Sequence, residues 1–113
     1  MNKHYSPESL DALAGGDDEF KAVVAQTFLE EIPTDLRALE EAIAVNNKEL
    51  AYQFAHKMKP NLEMFGIEVV EDIRAIEAWT KASQPVSAVE EILDKVSGIL
   101  NTVFDELKAD FNI

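Results

Sequence analysis

The residues with the plainest chemical potential lie in one stretch, Ala55-His56-Lys57-Met58-Lys59-Pro60-Asn61-Leu62-Glu63-Met64-Phe65-Gly66. Imidazole is the only side chain whose unperturbed proton affinity lies near physiological pH. In its neutral form it is a nucleophile, and histidine is among the side chains that form covalent intermediates. An exposed His56 is therefore able to accept a phosphoryl group. The product carries nearly two negative charges and needs a cation nearby. Lys59 stands at i+3, within side-chain reach on one helix face. Its ammonium is a mobile point charge suited to a phosphoryl oxygen. Lys57 lies about 100° further round a helix and belongs on the rim.

These residues need a helix to present them. At about 100° per residue, Leu50, Ala51, Phe54, Met58, Leu62 and Phe65 form a continuous apolar stripe. His56 points almost directly away from the stripe's centre. Glu49, Tyr52, Gln53, Lys59, Pro60 and Glu63 share the half-turn around it. The helix thus has a packing face and, on its back, one imidazole with a lysine one turn along. That arrangement argues against a histidine satisfied in the core; an ordinary surface histidine is the competing reading. The chemical reading requires an outward ring with an ammonium close by. A ring walled in by helices, or an amine both aimed elsewhere and pinned, contradicts it.

The run from His56 to Gly66 resembles the signature of histidine-containing phosphotransfer (HPt) domains. There a histidine is followed by any residue, an apolar residue, a lysine and a glycine, with another glycine closing the helix. His56 matches the phosphoacceptor, Met58 the apolar position, Lys59 the lysine and Gly66 the closing glycine. The layout is similar over nearly the full chain: a short first helix, Gly15-Gly16-Asp17, a long helix, the histidine helix and two more. Two positions depart from the pattern. Pro60 stands where the family has glycine, and Asn61 where serine or alanine is frequent. Pro60 has no N–H, and its ring crowds the carbonyl of His56 four residues back, so a local bend or loosened turn is expected. Many family members hold the other imidazole nitrogen with a polar residue on the next helix. The aligned position here is Ala78, with Glu77 beside it.

Helical spacing dominates the rest of the chain, and Gly and Pro number only 4 each, so the class is all-α. Short connections imply an antiparallel four-helix bundle, up-down-up-down, with a short additional N-terminal helix, in one domain over 1–113. Met1 to Tyr5, including His4, are expected to be loosely ordered. Ser6-Pro7 reads as an N-cap and first helical position, with Leu10 and Leu13 on the short helix and Gly15-Gly16 ending it. Asp17 or Asp18 caps the second helix. Phe20, Val24, Phe28, Ile32, Leu36, Leu39 and Ile43 hold one phase across Pro33, which favours a single kinked helix. Glu30, Glu31, Glu40 and Glu41 read as its wet face. Asn46-Asn47 is a turn and cap before the histidine helix, which Gly66 ends as a left-handed cap. Val69, Ile73, Ile76 and Trp79 mark the buried side of the next helix. Ser83-Gln84-Pro85 reads as a turn, and Ser87 with Glu90 as a capping box. Val89, Leu93, Val96, Leu100, Val103, Leu107 and Phe111 line a last helix, whose seam packs inside the bundle or, in the sharper alternative, pairs two copies.

Composition narrows the function further. With 22 acidic and 10 basic residues the formal charge is −12, which repels nucleic-acid phosphates and anionic membrane surfaces. Absence of cysteine removes disulfides and thiolate chemistry. Gln53 occupies the position three before His56, so the Glu-x-x-His step of carboxylate-bridged metal bundles is missing. No Walker-type loop or kinase signature is present, so nothing here suggests nucleotide binding. No metal and no cofactor of its own is expected. A soluble, cytoplasmic monomer is the expectation.

The phosphoryl group must then come from a partner. The HPt resemblance implies receiver domains of response regulators or hybrid histidine kinases, each supplying an aspartyl phosphate, Mg²⁺ and a lysine. The expected role is a phosphoryl carrier rather than an enzyme, with His56 as phosphoacceptor and Lys59 stabilising the phosphoryl charge. Tyr52, Gln53, Lys57, Pro60 and Glu63 are expected to contact the docked receiver, with Leu10, Leu13 and Phe20 as an apolar docking patch. Two alternatives stand beside it: a module of the same fold that binds receivers without chemistry, and a helical interaction protein without phosphotransfer.

Overall fold

The computed structural model describes residues 3–113, which form five α-helices and one short 3₁₀ turn with no strand. The helices are α1 Pro7–Leu13, α2 Asp18–Ala44, α3 Lys48–Met64, α4 Val70–Thr80 and α5 Glu90–Phe111. The 3₁₀ turn, Val86–Ala88, was not expected and replaces the capping box: Ser87 lies within it, and Val89 begins α5 without a side-chain cap. Elsewhere the caps follow local chemistry. The Ser6 hydroxyl accepts from the Ser9 N–H, the Asp17 carboxylate from Glu19 and Phe20, and the Asn47 side chain from Leu50. Each satisfies an N–H that a helix start leaves unpaired.

The helix α2 runs through Pro33 without a break and, at about 1.5 Å per residue, sets the long axis of a 46 × 25 × 20 Å molecule. It packs against α3 and α5, and α4 packs against the same two, so contacts run round α2, α3, α4 and α5 while α1 leans on α2 and α3. The core is drawn from every helix: Leu10, Phe28, Ile32, Leu39, Ala51, Met58, Leu62, Ile73, Ile76, Leu100 and Leu107 are all buried. Phe65 stacks on Phe28 with ring centroids 4.3 Å apart. The α5 seam is filled within the chain, since Val89, Val96, Leu100, Val103 and Leu107 are buried and Leu93 and Phe111 partly so. No helix among the described residues is long and apolar enough to cross a membrane.

Three expectations are corrected. Leu50 is exposed, because it lies at one edge of the α3 stripe, whereas Ala55, at the opposite edge, is buried. Phe20 keeps the helical spacing of the α2 stripe but is 50 % exposed, whereas Ala25, Phe28 and Ile32 further along are buried. Lys3 to Tyr5 are not loose; Met1 and Asn2 lie outside the described residues. The Lys3 ammonium binds Asp110, and Glu106 accepts from the His4 backbone N–H and faces His4 Nδ1 at 2.9 Å. The buried Tyr5 hydroxyl donates to Asp110. Burial first, then that carboxylate, holds the phenol protonated well above its usual range. This strap ties the chain start to the last turns of α5.

Candidate functional site

The helix α3 presents the site. Ala51, Ala55, Met58 and Leu62 are fully buried on one side, which fixes the rotation of the helix and turns His56 outward. Its ending is equally determined. Gly66 at φ 64° donates to the Glu63 carbonyl and Ile67 to the Leu62 carbonyl, the paired bonds of a Schellman motif. A Cβ on Gly66 would stand 2.6 Å from the Ser6 Cβ, so glycine is needed for both conformation and room. Pro60 is exposed and α3 continues through it, although its missing N–H leaves the His56 carbonyl without the usual helical donor.

The His56 side chain is 59 % exposed, and its Nδ1 lies 2.9 Å from Oε2 of Glu77 on α4. The other carboxylate oxygen of Glu77 accepts from the Lys59 ammonium at 2.9 Å. Burial alone would raise the Glu77 carboxyl, but the hydrogen bonds and charges of Lys59 and His56 outweigh it and hold the group below the usual carboxylate range. Glu77 is therefore ionised at neutral pH and accepts only, which places the ring proton on Nδ1. In the neutral ring the lone pair is then on Nε2. The ring also stacks on Tyr52, with centroids 5.4 Å apart and planes at 13°. Tyr52, His56, Lys59, Glu77, Ala78 and Lys81 line one surface cavity of about 250 Å³.

The lysines differ from expectation. Lys59 meets half of the requirement: it stands beside the imidazole rather than aimed away, but it is largely covered and pinned to the carboxylate that also holds the ring, so it is not free for a phosphoryl oxygen as expected. Lys57 turns the other way and pairs with Asp35 of α2 at 3.0 Å, where Asp35 is the buried charged residue of that helix. It neutralises a core-edge carboxylate instead of attending His56. A third ammonium, Lys81, sits 4.8 Å above the Tyr52 ring. A cation–π contact at an exposed site contributes about 0.5–1 kcal/mol, against about 1.5–3 kcal/mol for a hydrogen bond to a charged group. Of the two ammonium groups lining the cavity, Lys81 is the more weakly held.

Gln53 and Pro60 are exposed on the outer face of α3, and Glu63 stands 3.9 Å from Arg74 of α4. Of the expected apolar patch, Leu10 is buried, because it is the residue by which α1 attaches to the core. Leu13 and Phe20 are exposed and join Val23 and Met64 around a cavity of about 190 Å³, so the patch lies at the end of α3 toward which His56, Pro60 and Met64 lead.

The sequence reading aligned Ala78, with Glu77 beside it, at the position that holds the second imidazole nitrogen; Glu77 is the residue that does so, and Lys81 was not singled out. A signal for Glu77 was present: it falls four residues after Ile73 and next to Ile76, a carboxylate on the edge of an apolar face. Lys81 follows Glu77 at i+4, on the same side. Among the described residues no cluster of three or more His, Asp or Glu side chains is placed to hold a metal ion. Compared with protein-family models, with characterised proteins and with solved structures, the chain finds no match.

Proposed function

We propose that this chain is a histidine phosphotransfer protein of a multistep phosphorelay, with α2 to α5 as an antiparallel four-helix bundle and α1 as the additional short helix. The observation that carries the reading is the grip of Glu77 on Nδ1 of a His56 side chain that is 59 % exposed, which leaves Nε2 as the nucleophilic nitrogen. The incoming donor is an aspartyl phosphate of a receiver domain. Nε2 forms a bond to phosphorus, the phosphorus–oxygen bond breaks, and the aspartate keeps the electron pair as a carboxylate. Nδ1 retains its proton, so the ring becomes cationic and faces the Glu77 carboxylate. Passing the group to a second receiver reverses each change. Mg²⁺ and most of the charge neutralisation come from the receiver; this chain supplies a positioned nucleophile, since phosphoryl transfer is mainly positioning and electrostatics.

The exposed group Leu13, Phe20, Val23 and Met64 supports a docking role beside the nucleophile, because an apolar patch of this kind marks an interaction surface. Gln53, Pro60 and Glu63 lie on the α3 surface that leads to it. The test is incubation with phosphorylated receivers. Wild type acquires acid-labile label, and His56→Gln does not. Label on His56→Gln overturns the assignment. Receiver binding without label on wild type replaces it with a non-catalytic receiver-binding module.

A further inference from the structure

Lys81 is the one ammonium in the His56 cavity without an ionic partner. Among the described residues, the ion pairs engage Lys3, Lys21, Lys57, Lys59, Arg74 and Lys95, while Lys81 rests on the face of Tyr52. Tyr52 in turn stacks on the imidazole, so this ammonium is one aromatic ring away from the nucleophile and lines the same cavity. Lys59 is poorly placed to serve a new anion. Moving it would strip a donor from Glu77, a carboxylate only 12 % exposed, at the moment the ring becomes cationic. Lys81 gives up only a weak contact with an aromatic face, and its long stem is flexible.

We propose that Lys81 is the cation that binds the phosphoryl oxygens on Nε2 of His56, and that Lys59 is a positioning residue that keeps Glu77 charged and in place. This rests on the phosphotransfer reading of His56. The ammonium leaves the Tyr52 ring as the phosphoryl group arrives and returns when it departs. A purely structural role has to be separated from this one, because Lys81 also caps the C-terminal end of α4, where a cation is favoured by the helix dipole.

The experiment uses the whole chain and phosphoramidate, a chemical donor that needs no partner protein. Nε2 bonds to phosphorus, the phosphorus–nitrogen bond breaks, and its electron pair leaves with ammonia. Formation of phosphohistidine is followed by ³¹P NMR for wild type, Lys81→Gln, Lys81→Arg and Lys108→Ala, the last removing one charge from the final turn of α5. Lys81→Gln, which keeps a stem over Tyr52, is expected to slow acquisition roughly five- to tenfold, the order for one ammonium lost from about 4 Å of a phosphoryl dianion in water once salt screening is included. Lys81→Arg restores most of the rate, Lys108→Ala leaves it unchanged, and the Lys81 ammonium resonance shifts on phosphorylation while that of Lys59 stays. A Lys81→Gln rate within twofold of wild type overturns the proposal and leaves the reading of His56 intact. Wild type that forms no phosphohistidine overturns that reading itself.

Discussion

Replacing Glu77 with glutamine probes the centre of the site. The substitution keeps the shape and one acceptor oxygen but removes the charge and turns an amide toward one of its two donors. Either His56 Nδ1 or the Lys59 ammonium then lacks its acceptor. Attraction between unit charges about 4 Å apart is about 1 kcal/mol in water and about 4 kcal/mol at an effective dielectric near 20. Because the His56 side chain is 59 % exposed, the lower part of that range applies, about 1–2 kcal/mol after screening. That predicts a loss of roughly five- to thirtyfold in the rate at which His56 gains a phosphoryl group. The protein should also lose about 1–2 kcal/mol of stability, or roughly 4–8 °C in Tm at this chain length. Phosphohistidine formation from phosphoramidate or a phosphorylated receiver measures the first effect, and thermal unfolding the second. Nitrogen-15 spectra of the imidazole check the cause: wild type carries its proton on Nδ1, and the variant redistributes it toward Nε2. A variant with an unchanged tautomer and a rate within twofold of wild type would refute the role given to Glu77.

Three further predictions follow from particular contacts. The carboxyls of Glu77 and Asp110 are both held below their ordinary values of 4.5 and 3.8, Glu77 by Lys59 and His56 against the opposing effect of burial, Asp110 chiefly by the Tyr5 hydroxyl and then Lys3. A depressed folded value contributes stability that is present above the unfolded value and is lost as pH falls through the folded one. The melting temperature should therefore be level through pH 5–7 with respect to these groups and drop below about pH 4.5, less steeply in a Glu77→Gln, Asp110→Asn double variant. Gly66→Ala should destabilise by about 1–3 kcal/mol, from a left-handed residue and a Cβ 2.6 Å from Ser6. Adding Ser6→Gly should recover the steric share, as read by denaturant unfolding, and no recovery would show that the clash is not felt. Phe20→Asp changes a half-exposed side chain, so unfolding should move by no more than about 0.5 kcal/mol; binding to the cognate receiver, measured by titration calorimetry, should weaken at least tenfold. Unchanged affinity would remove the apolar patch from the docking surface.

The all-helical class, the single run of α2 across Pro33, the caps at Ser6, Asp17 and Asn47 and the outward direction of His56 were legible in the chain itself. Each depends on neighbours within a few residues, where helical period, capping oxygens and the handedness allowed to glycine decide the conformation. Only the tertiary structure decided which side chains meet. Glu77 is 21 residues from His56 and reaches it because α3 and α4 pack side by side; Asp35 takes Lys57 by the same route across α2 and α3. The strap from Lys3 to Tyr5 depends likewise on the distant end of α5. Periodicity sets the direction in which a residue points. The partner it finds there is chosen by another segment of chain, and so packing decided which carboxylate faces Nδ1 of the imidazole.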